Sequence, residues 1–79
     1  MKARVTVTLK TGVLDPQGKA IEGALKSLSV AGIASVRQGK VFDIELDAKD
    51  EASAKTALTT ACEKLLANTV VENYRIDIV

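Results

Sequence analysis

Apolar and polar residues alternate one for one over ARVTVTL, residues 3–9, with Ala3, Val5, Val7 and Leu9 on one side and Arg4, Thr6 and Thr8 on the other. A period of two is the pattern of a strand with one buried face. VFDIELD, residues 41–47, repeats it with Phe42, Ile44 and Leu46 inward and Asp43, Glu45 and Asp47 outward. The final YRIDIV repeats it again with Tyr74, Ile76 and Ile78. IASVRQ, residues 33–38, predicts a further strand, turned tightly into the next at Gly39–Lys40. Elsewhere the period lengthens. Ala20, Ile21, Ala24, Leu25 and Leu28 form one helical stripe, and Ala54, Ala57, Leu58, Ala61, Cys62 and Leu65 form another.

The ends of these helices carry recognisable signals. Asp15 before Pro16 places an N-cap ahead of a proline at the first helical position. Gly32 is the expected end of that helix, Asp50 the start of the second and Asn68 its C-cap. Gly18 and Gly23 each weaken the first helix by about 1 kcal/mol relative to alanine, so they point to close approach of another backbone.

The resulting order is β-α-β-β-α-β, in two similar halves that meet near Gly39. One-faced strands and one-striped helices are satisfied together in an α+β, ferredoxin-like βαββαβ sandwich. This is a four-stranded antiparallel sheet in the order 4-1-3-2 with two helices on one face. Residues 1–79 are expected to form a single domain.

Composition narrows the function. Eleven basic and ten acidic residues leave a net charge of +1, which gives no footprint for nucleic acid. The outer sheet face carries Arg4, Thr6, Thr8, Asp43, Glu45 and Asp77, while Phe42 and Tyr74 point inward, so no aromatic platform stacks bases. No apolar run approaches the ~20 residues of a membrane span. The opening MKARVTVTLK alternates instead of forming a signal-peptide block. A cytoplasmic location, with Cys62 reduced, is the expectation. One cysteine and no histidine exclude an internal disulfide and a structural zinc site. So short a core commonly needs help, and self-association is the device left open.

Catalytic chemistry finds little to use. There is no histidine, Cys62 lies in an apolar stripe, and Asp43, Glu45 and Asp47 read as a solvated strand face. GVLDPQGKA, from Gly12, fails as a phosphate loop: its glycines are six apart, not five, and Ala20 stands where a hydroxyl is required. A weak anion contact at the helix start near Gln17 and Lys19 remains compatible with it.

LKTGVLDPQGKAI, VRQGKVFDIEL and CEKLLANTVVENYRIDIV, in this order and at this length, resemble the PurS family, the small subunit of phosphoribosylformylglycinamidine (FGAM) synthase. The resemblance covers nearly the whole chain, and GVLDPQGKAI is its most specific part. Two places depart from the family: Thr69 stands where a proline is usual, and Ser29–Ala31 replaces a more typical Leu-Gly pair. The resemblance implies a non-catalytic adaptor in de novo purine (IMP) biosynthesis. It would bridge an ATP-dependent synthetase subunit and a glutaminase subunit for ammonia transfer. It is thus part of an enzyme only as a subunit of a glutamine-hydrolysing carbon–nitrogen ligase. No cofactor is expected in this chain, ATP and magnesium belonging to the large subunit.

Three loops are the expected partner contacts. Gly12, Asp15, Pro16, Gln17 and Lys19 form the first, carried over from the family motif; Arg37 and Lys40 form the second; Asn68 and Tyr74 form the third. Self-association as a dimer or a dimer of dimers is expected through open strand edges and the polar sheet face. The alternative is an ACT-like regulatory domain, which shares the element order and would bind a small molecule beside Gly12.

Overall fold

Strand β1 (Lys2–Leu9) buries Ala3, Val5 and Val7, the residues that its alternation points inward. It is the central strand of a three-stranded antiparallel sheet in the order β2-β1-β3, with β2 spanning Gly39–Glu45 and β3 spanning Glu72–Ile78. Val5 lies opposite Phe42 on one side and Ile76 on the other, so the three apolar strand faces coincide. Helix α2 (Glu51–Ala61) packs along β3 and presses Ala54 and Leu58 onto this face. The computed structural model describes residues 1–79.

A π-helical turn, Cys62–Leu66, prolongs α2. It closes where the Ala67 N–H donates to the Cys62 carbonyl at 3.1 Å, five residues back. The wider turn delays the inward phase by one residue. Ala54, Leu58 and Cys62 face the sheet at four-residue spacing and the wider turn brings Leu66 after them in place of Leu65; Leu65 and, in the α-helical part, Ala57, both expected in the stripe, are exposed. Asn68 lies beyond the helix and does not cap it. Its carbonyl accepts the N–H groups of Val71 and Glu72, and its side chain accepts that of Val70, which turns the chain into β3.

Helix α1 (Pro16–Ser27) departs most from expectation: it is not on the sheet. Only Gly18 of its residues is buried, and Ile21 and Leu28 of its apolar stripe face solvent. The cause lies at Gly39–Lys40, which are the first residues of β2 and not a turn. Gly39 lies opposite Thr8, where a Cβ would come within 2.6 Å of the Val7 carbonyl oxygen. Its missing side chain serves strand pairing instead of chain reversal. Residues 33–38 therefore run straight into β2 and cannot fold back beside it, so the fourth strand expected there is absent and only the 4-1-3 part of the expected order forms.

Gly32 does not end α1 either. The helix stops at Ser27 with Leu28 as its C-cap, and Ser29 takes the left-handed conformation at φ 62°. The N–H of Val30 donates to the Leu25 carbonyl and that of Ser29 to the Lys26 carbonyl, the paired bonds of a Schellman ending. The molecule measures 50 × 25 × 15 Å, with α1 and residues 28–38 forming an arm beyond the sheet.

Candidate functional site

The arm is fastened by carboxylates. Asp15 is 5 % exposed, and its two oxygens divide their work. Oδ1 accepts the Gly18 N–H at 2.9 Å and caps α1, while Oδ2 accepts the Gln38 N–H at 2.6 Å and ties down the returning chain. One helical turn on, Glu22 Oε2 accepts the Val36 N–H at 2.9 Å. Arg37 completes the junction, donating to the Val13 carbonyl at 2.8 Å and the Lys10 carbonyl at 3.1 Å. Gly18 is indispensable to this closure, because a Cβ there would strike the Val36 carbonyl oxygen and the Asp15 carboxylate. The close approach expected of the helical glycines is thus real at Gly18. It is not found at Gly23, which faces open space.

Where the arm meets the sheet, an open cleft of about 420 Å³ is lined by Asp15, Pro16, Gln17, Gln38, Lys40 and Glu72 among others. Four of the expected contact residues therefore converge: Asp15, Pro16, Gln17 and Lys40. Lys40 lies 4.0 Å from Glu72 and 5.9 Å above the Phe42 ring. Gly12 lies in the turn that leads into this loop, at φ 89°. Lys19 lies on the exposed flank of α1, 3.5 Å from Glu22.

Asn68 and Tyr74 lie apart from this cleft. Tyr74 lines a neighbouring one with Lys10, Glu63, Thr69, Glu72 and Asn73. Glu72 joins the two places: its Oε1 accepts the Asn68 N–H at 2.6 Å while Oε2 faces Lys40. Sequence reading missed Glu72 because it began the last strand at Tyr74. Extending the alternation two residues upstream places Glu72 on the same face as Tyr74. Gln38 contributes its backbone N–H, and Glu22 a side-chain carboxylate that meets the Val36 N–H only because of the course of the returning chain, for which the sequence holds no comparable signal.

The ionisable groups are committed to structure. Backbone N–H donors, from Gly18 and then Gln38, hold the Asp15 carboxyl below the usual carboxylate range. The Val36 N–H does the same to Glu22 and the Ser53 N–H to Asp50. A carboxylate saturated in this way is a poor proton acceptor. Cys62 is fully buried, and burial, then the charge of Glu63, pushes its thiol up, away from the nucleophilic thiolate. The Glu63 carboxylate raises the Tyr74 hydroxyl. On the outer face, Arg4 bonds Asp43 at 2.9 Å directly across the strands, and Lys2 and Glu45 lie 3.7 Å apart. Those acidic residues are a neutralised, solvated surface. No group of three His, Cys, Asp or Glu side chains is placed to hold a metal ion, and no helix is long and apolar enough to cross a membrane.

Comparison with known proteins identifies the arrangement. The family model PurS, described as phosphoribosylformylglycinamidine (FGAM) synthase, matches residues 2–79. The chain belongs to the PurS family. It is 48 % identical over 75 residues to the PurS subunit of Synechocystis, covering 95 % of this chain and 75 % of that one. It is 42 % identical to the Bacillus subtilis PurS subunit, covering 98 % and 90 %. The PurLQS structure from Thermotoga maritima contains a chain matched with a TM-score of 0.90 at 32 % identity, covering 99 % of this chain and 95 % of that one. PurS of Methanocaldococcus jannaschii, one of the subunits of formylglycinamide ribonucleotide amidotransferase in the purine biosynthetic pathway, superposes with a TM-score of 0.88 at 38 % identity, covering 96 % and 92 %. The arm-and-sheet geometry is thus shared with experimentally solved PurS chains.

Proposed function

We propose that this PurS chain is the non-catalytic adaptor of an FGAM synthase in de novo purine biosynthesis. It bridges the ATP-dependent synthetase subunit and the glutaminase subunit so that ammonia passes between them. The observation that carries this reading is the full-length similarity to the chain within the Thermotoga maritima PurLQS structure. The saturated carboxylates and the buried thiol support it, since they suit a chain that supplies surface instead of bond-making groups. ATP and magnesium act in the large subunit, the adaptor self-associates, and the complex works in the cytoplasm. The junction cleft with Asp15, Pro16, Gln17 and Lys40, flanked by Lys19 and Arg37, is the docking surface for a larger subunit. Four-stranded, ferredoxin-like sheets form only in the assembled protein.

Gel filtration of the full chain mixed with the PurL and PurQ subunits, with and without ADP and glutamine, tests this. The wild-type chain is expected to co-elute with both. Lys19→Gln and Lys40→Gln, each with an unchanged far-ultraviolet spectrum, should weaken capture by about fivefold, the equivalent of about 1 kcal/mol. Undiminished capture by both variants removes the cleft from the interface. A wild-type chain that joins neither subunit, yet turns over a metabolite alone, removes the adaptor.

A further inference from the structure

The turn into β3 runs against its own composition. Thr69, Val70 and Val71 are all β-branched, a class that favours extended strand over a reversal of the chain. No glycine or proline eases the turn, and Val70 is 80 % exposed, so apolar packing does not hold it either. Hydrogen bonds gathered on Asn68 hold it instead. The Asn68 carbonyl accepts the Val71 N–H at 3.0 Å and the Glu72 N–H at 2.7 Å, and its side-chain oxygen accepts the Val70 N–H at 3.2 Å. The fourth bond anchors the turn to the sheet, because Glu72 is the first residue of β3. The Glu72 carboxylate accepts the Asn68 N–H at 2.6 Å, the short length of a charge-assisted bond.

The other carboxylate oxygen of Glu72 reaches toward the junction cleft. Lys40 stands opposite Val7 and Glu72 opposite Leu9, on either side of β1. Val7 points into the core, so both charged side chains lie on the core face, over the end of the middle strand that α1 leaves bare. Glu72 Oε2 lies 4.0 Å from Lys40 Nζ, with the glutamate side chain 18 % exposed and the lysine 54 %. Glu72 is thus the anchored member of the pair and Lys40 the accessible one. Glu72 lines both the junction cleft and the neighbouring cleft at Tyr74, and no other residue does.

We propose that Glu72 is a positioning residue for the subunit contacts. It sets the course of residues 68–71 and couples that turn to Lys40, so that the third contact loop and the junction cleft act as one surface. A carboxylate with Lys40 at one oxygen and the Asn68 N–H at the other is polarised by both. An anionic group of a partner that draws Lys40 away weakens the hold on the turn. A partner seated on Asn68 or Tyr74 with the turn in place steadies the carboxylate beside Lys40. Such coupling is reciprocal, each contact favouring or opposing the other by the same factor. Glu72 touches no reacting atom, and its part in the reaction is to present surface. This role rests on the docking reading above and adds the residue that links its two places.

Amide hydrogen exchange of the full chain, at one protein concentration, is the test. The Val71 N–H donates to the Asn68 carbonyl, and the Lys10 N–H donates to the Val71 carbonyl at 2.9 Å, so both amides read the turn without bonding the carboxylate itself. Glu72→Ala should speed their exchange about tenfold. Glu72→Gln removes the same charge but keeps an oxygen for the Asn68 N–H, and should stay within about threefold of wild type. Lys40→Gln should speed the Val71 amide by about two- to fourfold in wild type and leave it unchanged in the Glu72→Gln background. In capture of the PurL and PurQ subunits, the double variant Lys40→Gln, Glu72→Ala should lose less than the product of the two single losses. Turn amides that ignore Glu72→Ala overturn the positioning. Equal effects of Lys40→Gln in both backgrounds, or capture losses that multiply, overturn the coupling. Undiminished capture by every variant removes both loops from the interface, and the exchange rates of the free chain then judge Glu72 alone. Should Glu72→Ala unfold, the cycle of Lys40→Gln and Glu72→Gln decides.

Discussion

Ser29 is held at φ 62°, and glycine should replace it with a gain in stability. A residue with a Cβ loses about 1–2 kcal/mol in the left-handed region. Glycine avoids that loss, but its freer unfolded chain returns about 0.5–1 kcal/mol. Ser29 is exposed and its hydroxyl makes no hydrogen bond, so nothing else is lost. Its N–H still donates to the Lys26 carbonyl at 3.0 Å, a bond that glycine keeps. The net gain for Ser29→Gly is about 0.5–1 kcal/mol, or about 2–8 °C in Tm for a domain of this size. Thermal unfolding followed by circular dichroism should compare wild type, Ser29→Gly and Ser29→Ala at one protein concentration, because association makes Tm concentration-dependent. Exchange of the Leu28 and Val30 amides reads the helix end locally. Ser29→Ala retains the Cβ and should match wild type within about 0.5 kcal/mol. If the glycine variant is no more stable than the alanine variant, the Schellman ending of α1 is not as described.

Two further outcomes follow from the arm and its carboxylates. Gly18→Ala should loosen the arm, because the new methyl meets the Val36 carbonyl, whereas Gly23→Ala, facing open space, should stabilise α1 by up to about 1 kcal/mol; equal unfolding midpoints would refute the contrast. Asp15, Glu22 and Asp50 titrate below their unfolded values, so the stability they contribute is present above an unfolded pKa of about 4 and is lost as pH falls through the lower folded values. Urea midpoints should fall below about pH 4, and Asp15→Asn, which removes one of those groups, should flatten the dependence.

The sheet was legible because each strand obeys one rule that no neighbour interferes with. Ala3, Val5 and Val7 are buried as their alternation requires, and the outer face is polar and ion-paired as its charges require. The start of α1 was legible for the same reason, since Asp15 and Pro16 act within one turn of chain. The failures lie where a residue has two compatible uses. Gly39 is equally suited to a turn and to close strand pairing, and only the position of Val7 and Thr8 decides. Ser29 gave no signal because the left-handed position that ends a helix is usually glycine's, and Gly32 is nearby. Leu65 was misplaced because a π-helical turn shifts the phase without changing composition. In the candidate site, Asp15, Pro16, Gln17 and Lys40 were found as members of loops, but their convergence depends on the arm's course and was not readable.

That course also explains why GVLDPQGKAI is the most specific part of the sequence although it supplies no catalytic group. Asp15 must be short enough to cap α1 and still reach the Gln38 N–H, a geometry that a glutamate would overshoot. Gly18 must lack a Cβ so that Val36 can pass. Pro16 fixes the first turn without forfeiting a needed N–H. Each constraint concerns how the arm leaves the sheet and how residues 33–38 return to it. In a lone chain these residues would stabilise an appendage that buries almost nothing, at an entropic cost of about 1–2 kcal/mol per ordered backbone residue. The arrangement makes energetic sense when another chain covers the arm, and the motif is then specific because it sets the course by which residues 33–38 return to β2.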